Sequence, residues 1–274
     1  MKVVYVSLGI AFLGNLFSAL AVAATYRAAD YFPLTPGERM SFLIGSNEPT
    51  DGATMSWEFR PGSVGPEGTT VVNEMWLDGN EPRHFQDTSF LVNDSGVSIS
   101  SSLGRNAAAE IVWFEEYDPS LIMVPDTMHD GMEFSGTVAF SGQWEVGEEW
   151  AGSCTRNGQV VGLEQVTVPA GTFETLHLMM NDQSVTEDSS RRYEESGVWE
   201  FWLVEGIGPV KMYHSSSMEE YTLAGGLIDS HSTWSTMQAV PEPSSLGMAL
   251  IGVPLATLVA LRRRGGGRSD SIPA

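Results

Sequence analysis

The chain has 274 residues, 42% of them apolar and 18% charged, with 14 lysines and arginines against 35 aspartates and glutamates and a formal net charge of -21. So acidic a surface repels phosphate, which argues against nucleic acid as a partner and against electrostatic docking on anionic lipid. The single cysteine, Cys154, excludes an intramolecular disulfide and any cysteine-based zinc site.

The first element in chain order is an export signal. Lys2 supplies a positive start, Val3 to Phe17 is almost continuously apolar, and small residues follow. Ala21-Val22-Ala23 fits the small-x-small cleavage pattern, with cutting after Ala23 or after Ala24. The reading is a signal peptide over 1–24, opening with a signal helix.

From 25 to 239 helical periodicity is nearly absent, and short apolar or alternating runs end in turn clusters. Predicted strands run over Thr69–Leu77, Thr88–Val92, Val97–Ser102 and Glu110–Phe114. Between them lie Asp78-Gly79-Asn80 and Asn93-Asp94-Ser95-Gly96, and Leu103–Ala109 is assigned a short helix. Val160–Val168 and Thr172–Met180 flank Pro169-Ala170-Gly171, a turn that both proline and glycine favour. Val198–Val204 and Pro209–His214 flank Glu205-Gly206-Ile207-Gly208. Glu220–Leu223 and Leu227–Thr233 flank a Gly225-Gly226 hairpin. About ten such strands predict one all-β domain over 25–239, an antiparallel sandwich or open barrel. Apolar residues on both faces of Trp199-Glu200-Phe201-Trp202-Leu203 predict a sheet partly covered on its second side.

The last element is a second address. Val240-Pro241-Glu242-Pro243 leads into the apolar stretch Leu246–Leu261, and Arg262, Arg263 and Arg264 follow. As a helix those sixteen residues span about 24 Å, slightly short of a hydrocarbon core, and snorkelling arginines close the gap. A C-terminal transmembrane helix is expected, with the arginines on the cytoplasmic side, 265–274 as a cytoplasmic tail and 25–239 outside.

Pro241-Glu242-Pro243, an apolar stretch and the arginine cluster resemble the PEP-CTERM sorting signal over 240–264. That resemblance implies an exosortase substrate: a chain handled by the export machinery and a membrane processing enzyme, bound for the cell surface or surroundings. It also brings extracellular polysaccharide into view as a partner. The tail after the arginines is longer than is usual for such signals. Tyr31-Phe32-Pro33-Leu34, Pro119–Gly131, Val166–Phe173 and Gly206–Lys211 together resemble TapB-like exported β-domains, a resemblance that brings no catalytic residues with it.

The middle region offers no strong chemical motif. No serine has glycine at both −2 and +2, no His-Glu-x-x-His occurs, and Cys154 has no local base. Asp126, Asp130 and Glu133, and likewise Asp182, Glu187 and Asp188, are calcium-type clusters without the spacing of a calcium loop. Carboxylate pairs such as Glu115/Glu116 and Glu194/Glu195 lie near Trp113, Trp150, Trp199 and Trp202, but neighbours on a strand point to opposite faces. The expectation is a non-enzymatic exported domain, structural, adhesive or ligand-binding, with no catalytic residue, metal or cofactor. The alternatives are a glycoside hydrolase and a lipid or glycan carrier.

Overall fold

A computed structural model describes residues 24–35, 37–47, 52–61, 69–78, 81–106, 108, 110–144 and 147–241. The signal helix with Ala21 and Ala23, and the sorting signal from Glu242 and Pro243 through Arg262, Arg263 and Arg264, lie outside the described residues. Ala24 and Pro241 lie at the two ends of the described chain.

Among the described residues the chain is almost entirely β. Its elements are β1 (Thr25–Arg27), α1 (Ala28–Tyr31), β2 (Arg39–Ser46), β3 (Thr54–Pro61), β4 (Thr69–Asp78), β5 (Glu81–Asn93), β6 (Gly96–Arg105), β7 (Ile111–Pro125), β8 (Thr127–His129), β9 (Glu133–Trp144), β10 (Glu149–Val168), β11 (Gly171–Glu187), β12 (Arg191–Val204), β13 (Gly208–Thr222) and β14 (Leu227–Ala239). Twelve strands pair antiparallel in the order β10-β11-β12-β13-β14-β2-β3-β4-β5-β6-β7-β9. The β9–β10 ladder closes the ring. β1 pairs only with β8. The architecture is an antiparallel all-β barrel, one of the two expected forms, and its sheet closes on itself.

The structure also corrects the local expectations. Leu103–Arg105 continues β6 instead of starting a helix, because Leu103, Gly104 and Arg105 pair with Phe114, Trp113 and Ile111. The helix among the described residues is α1, four residues long, which carries no amphipathic signal. Pro209–His214 and Glu220–Leu223 are one strand, β13, ending at Thr222. The β13–β14 connection is longer than a two-residue turn: the Thr222 N–H donates to Gly226 O at 2.8 Å and the Gly225 N–H to Thr222 O at 2.8 Å.

Inside and outside follow from the pleat. On β10, Trp150, Cys154, Arg156 and Val160 are buried, while Ala151, Ser153 and Asn157 face out. On β11, Leu176, Leu178 and Met180 face in and His177 and Met179 face out. The outward positions of β10–β13 include Asn157, Gln159, Asn181, Gln183, Glu194, Glu200 and Lys211, the reverse of a lipid-facing barrel wall. The predicted second layer over Trp202 is replaced by side chains of the same sheet. The His177 ring stacks on Trp202 at 4.5 Å, Lys211 Nζ lies 3.8 Å over the indole, and Trp202 Nε1 donates to Glu164. His177 also meets Glu200 Oε2 at 2.9 Å.

A twelve-stranded barrel is wider than the eight-stranded kind that side chains fill by themselves. One half is nonetheless packed solid. Phe42, Ile44, Met55, Leu176, Leu178, Met180, Leu203 and Met212 are fully buried there. The N-terminal segment completes the filling, with Tyr26, Ala28, Tyr31 and Phe32 all buried in the same cluster. Backbone bonds fix this plug: the Ala28 N–H donates to Asp126 O at 2.8 Å and the Gly206 N–H to Asp30 O at 2.7 Å. Tyr26 Oη donates to Asp130 at 2.8 Å. The turns at 94–95, 169–170 and 205–207 lie at this plugged end, and those at 106–110, 188–190 and 223–226 lie at the other.

Candidate functional site

Above the packed half the barrel is hollow. A cavity of about 720 Å³ occupies the interior between the apolar plug and the 188–190 turn, within the range of sites that take one small ligand. Its floor is Phe90, Phe201, Met212 and Met237. Its rim reaches Trp144, Asp188 and Tyr193, and Trp144 is 43% exposed, so the cavity opens at that end.

The wall is built from cross-strand pairs of glycine and aromatic residues. Gly104 pairs with Trp113, Gly142 with Trp150, Gly152 with Phe140 and Gly158 with Phe134. In all four pairs a Cβ added to the glycine would run into its partner's ring. The bare glycine lets the ring lie flat against the sheet, so the aromatic lines the space instead of filling it. Trp113, Phe140 and Trp150 line the cavity in this way. Phe140 and Trp150 pack edge to face at 5.6 Å, and Trp144 lies 6.1 Å from Trp150. Across the barrel, Trp199 stacks on His214 at 3.8 Å.

Polar groups sit among these rings. Arg156 and Asp182 are register partners on β10 and β11. Nε donates to Oδ1 at 2.7 Å and Nη2 to Oδ2 at 2.6 Å, a two-point ion pair inside the barrel. Arg156 Nη1 meets Ile122 O and Met123 Sδ, so the guanidinium is used up on protein groups. Glu115 and Glu195 line the same cavity from β7 and β12. Tyr117 donates to Glu115 and Ser216 to Glu195. Burial holds the Glu115 carboxyl above the usual range, and the charge of Glu195 adds to that. Glu195 is exposed, but the space it meets is the cavity; enclosure by the walls raises its carboxyl, and Asp182 adds to the effect. Burial pushes the Tyr117 phenol up, the Cys154 thiol up to about 11 and the His214 imidazolium down. Cys154 is therefore a thiol at neutral pH, as expected of a buried wall residue. The buried indole N–H of Trp150 has no acceptor among the described residues.

The sequence-level candidates are redistributed. The two members of the Glu115/Glu116 and Glu194/Glu195 pairs face opposite ways, and one member of each enters the barrel; the carboxylates that share a space come from different pairs. Trp113, Trp150 and Trp199 reach the cavity, whereas Trp202 is on the outer face. The acidic clusters come apart. Asp130 accepts from Tyr26, and Asp126 lies 4.0 Å from Arg27. Asp182 points inward to Arg156, and Asp188 accepts from the Ser190 and Arg191 N–H groups of its own turn. Arg156 and His214 as cavity residues were missed.

No family model matches the chain, and no curated protein does. Two solved structures are similar to it. One is a candidate exported protein with a YmcC-like fold from Bacteroides fragilis, 16% identical, covering 77% of this chain and 99% of its own, with a TM-score of 0.44. The other is a candidate lipoprotein from Parabacteroides distasonis, 14% identical, covering 76% of this chain and 96% of its own, with a TM-score of 0.38. These likenesses are too distant to transfer a role, and the functional conclusion rests on the cavity.

Proposed function

We propose that this chain is an exported, non-enzymatic binding protein whose closed barrel holds a small ligand or one unit of a polymer. The observation that carries it is the interior of about 720 Å³, open at one end and lined by aromatic rings and by the carboxyls of Glu115 and Glu195. A purely structural barrel has no reason to leave that space empty, since voids forfeit packing contacts. Export is supported by the apolar N-terminal stretch with Ala21, Ala23 and Ala24. The PEP-CTERM-type signal of Pro241, Glu242, Pro243 and Arg262–Arg264 supports delivery to the cell surface or surroundings. Both Thr25 and Ala239 lie at the plugged end, so a chain held by its C-terminal segment turns the open end away from the membrane.

The test is uptake of the neutral dye N-phenyl-1-naphthylamine, read by its fluorescence. Wild type binds it, and Ser184→Phe, which fills the cavity from β11, does not. Equal binding by the two proteins would remove the cavity from the account. A second reading, glycoside hydrolysis, draws on Glu115 and Glu195 sharing the cavity. It requires sugar release that Glu115→Gln abolishes.

A further inference from the structure

The tip between β13 and β14 is apolar and exposed. Residues 223–228 read Leu-Ala-Gly-Gly-Leu-Ile, without one polar side chain, and all six face solvent. Leu223 and Leu227 are each 59% exposed and Ile228 is 49% exposed. The turn does not need them: it is closed by backbone bonds and by the Thr222 hydroxyl, which accepts from the Gly226 N–H at 3.0 Å. In a chain with 35 acids, bulky apolar side chains gathered at a solvent-facing tip mark a contact with something apolar. A second such tip stands at the same end of the barrel. Trp144 ends β9 and is paired with Trp113, and Ile111, 47% exposed, lies two residues before Trp113 at the start of β7. The 188–190 turn separates the two tips around the ring, and the cavity opens between them.

Shape and charge select what the tips touch. Glu187, Asp188, Arg191 and Arg192 lie between them, so the apolar groups form neither one patch nor a groove that a folded partner could fill. A lipid surface takes separate tips, because each buries its own apolar side chains at the headgroup boundary, where tryptophan is also favoured. The arginines at this end are held by acids: Arg191 by Glu220, Arg192 by Glu194 at 2.8 Å and Arg105 by Asp87 at 3.3 Å. Glu148, Glu149 and Asp229 flank the tips and are exposed. A second copy brought mouth to mouth sets these acids against themselves, and an anionic lipid surface meets the same repulsion. An uncharged lipid surface does not.

We propose that the open end of the barrel is a lipid-docking surface: the 223–228 tip and the tip of Ile111 and Trp144 settle into the headgroup boundary of an uncharged lipid surface and set the cavity mouth against it. β14 carries the chain to Ala239 at the plugged end, so this is not the surface that the C-terminal segment enters. The proposal goes beyond the binding reading and holds whichever ligand the cavity takes.

The experiment attaches a nitrobenzoxadiazole dye to the full chain, purified from a host that exports it, at Ala224→Cys on the tip or at Ile207→Cys in a turn of the plugged end. Cys154 is buried and stays unlabelled. With phosphatidylcholine vesicles the dye at 224 shifts to shorter wavelength and is quenched by a spin-labelled lipid. Leu227→Ser/Ile228→Ser weakens that response at least about tenfold, because two apolar side chains no longer leave water. Leu223→Ser, which lies outside the ladder, weakens it in the same direction. A response at 207 that comes from the C-terminal segment survives both changes. Phosphatidylglycerol vesicles at low salt bind at least about tenfold more weakly, and the gap narrows as salt is added. Melting and uptake of N-phenyl-1-naphthylamine stay at wild-type levels in the variants, so a lost response is not lost folding. A silent dye at 224, a response that the serine variants leave intact, or equal or tighter binding of phosphatidylglycerol overturns the proposal. So does a shift at 224 that rises with protein concentration in the absence of vesicles, which makes the tips a contact between two copies. If vesicles have no effect but wild type takes up N-phenyl-1-naphthylamine, docking falls and the binding reading stands. If wild type takes up no dye but the vesicle response is present, the binding reading falls and docking stands.

Discussion

Arg156 and Asp182 form a two-point ion pair that faces into the barrel from neighbouring strands, with Arg156 only 5% exposed. Each charge has left bulk water and depends on the other. Asp182→Ala strands a buried guanidinium, and the cost of breaking a buried pair this way is about 3 kcal/mol. Chemical denaturation measures it. Replacing both residues, as in Arg156→Met/Asp182→Leu, removes the pair without leaving an orphan charge and costs less than the single change. A double variant that is no more stable than Asp182→Ala contradicts the pairing.

The glycine–aromatic pairs make a second, separable claim. A Cβ at Gly152 meets the Phe140 ring at 2.6 Å and the Val185 carbonyl, neither of which moves freely in a closed ladder. Gly152→Ala is expected to lose about 1–3 kcal/mol through overpacking. Gly136, which also faces the interior, has nothing within 4 Å of its added Cβ. Gly136→Ala is therefore expected to be neutral or slightly stabilising, because it removes chain entropy from the unfolded state. Equal melting temperatures for the two variants would show that the rings do not depend on bare backbone.

How far the sequence revealed this barrel depended on which half of each strand was read. Val160–Val168, Thr172–Met180, Val198–Val204 and Pro209–His214 were all legible, and all lie toward the plugged end, where inward positions such as Leu176, Leu178, Phe201 and Met212 are apolar. The same strands continue into the cavity wall as Gly152, Cys154 and Arg156, as Asp182, Ser184 and Thr186, and as Tyr193, Glu195 and Gly197. There the inward residues are small or polar because they border open space, so the alternation of apolar and polar residues that marks a strand fades. β9 did carry a signal, with Phe134, Gly136, Val138, Phe140, Gly142 and Trp144 at every second position, but the pattern of glycine with aromatics is not the usual apolar one. The carboxylates Glu115 and Glu195 were visible as residues. Their meeting was not, because it depends on a closure that joins strands distant in sequence.

Glu115 and Glu195 contribute a pH dependence of known sign. Both carboxyls are held above their ordinary value of 4.5, mainly by burial. The folded protein therefore binds protons more readily than the unfolded chain at these sites, and their ionisation destabilises it. That penalty is present at neutral pH and disappears as pH falls through the raised values toward 4.5. His214 works in the opposite direction. Held below its ordinary value of 6.5 by burial, it removes stability as pH falls through 6.5. Comparing wild type with Glu115→Gln/Glu195→Gln isolates the carboxyls, since His214 is common to both. The double variant is expected to be more stable at pH 7.5, with the difference closing near pH 4.5. A difference that stays constant over that range would mean the two groups do not titrate in an enclosed site.

The C-terminal segment is expected to be removed, and the barrel is built to survive its removal. β14 ends at Ala239, whose carbonyl accepts from the Ala170 N–H at 3.0 Å, and the Val240 N–H donates to Ser41 O at 3.0 Å. Pro241 comes next, and it has no N–H to donate. Pro241 and Pro243 also bias the residues before them toward extended backbone, the form a protease accepts. A cut within or just after this Pro-Glu-Pro stretch spares the barrel ladders, which reach only to Ala239. The apolar run Leu246–Leu261 is short for a permanent span and contains Pro254, and Arg262, Arg263 and Arg264 are expected to hold it in a stop-transfer orientation until the cut is made. Mass spectrometry of the protein from a host with the processing enzyme should find nothing beyond about residue 245. Neutral residues in place of the three arginines should leave unprocessed chain. Recovery of wild-type protein with Leu246–Leu261 intact in the inner membrane of that host would make the segment a plain anchor.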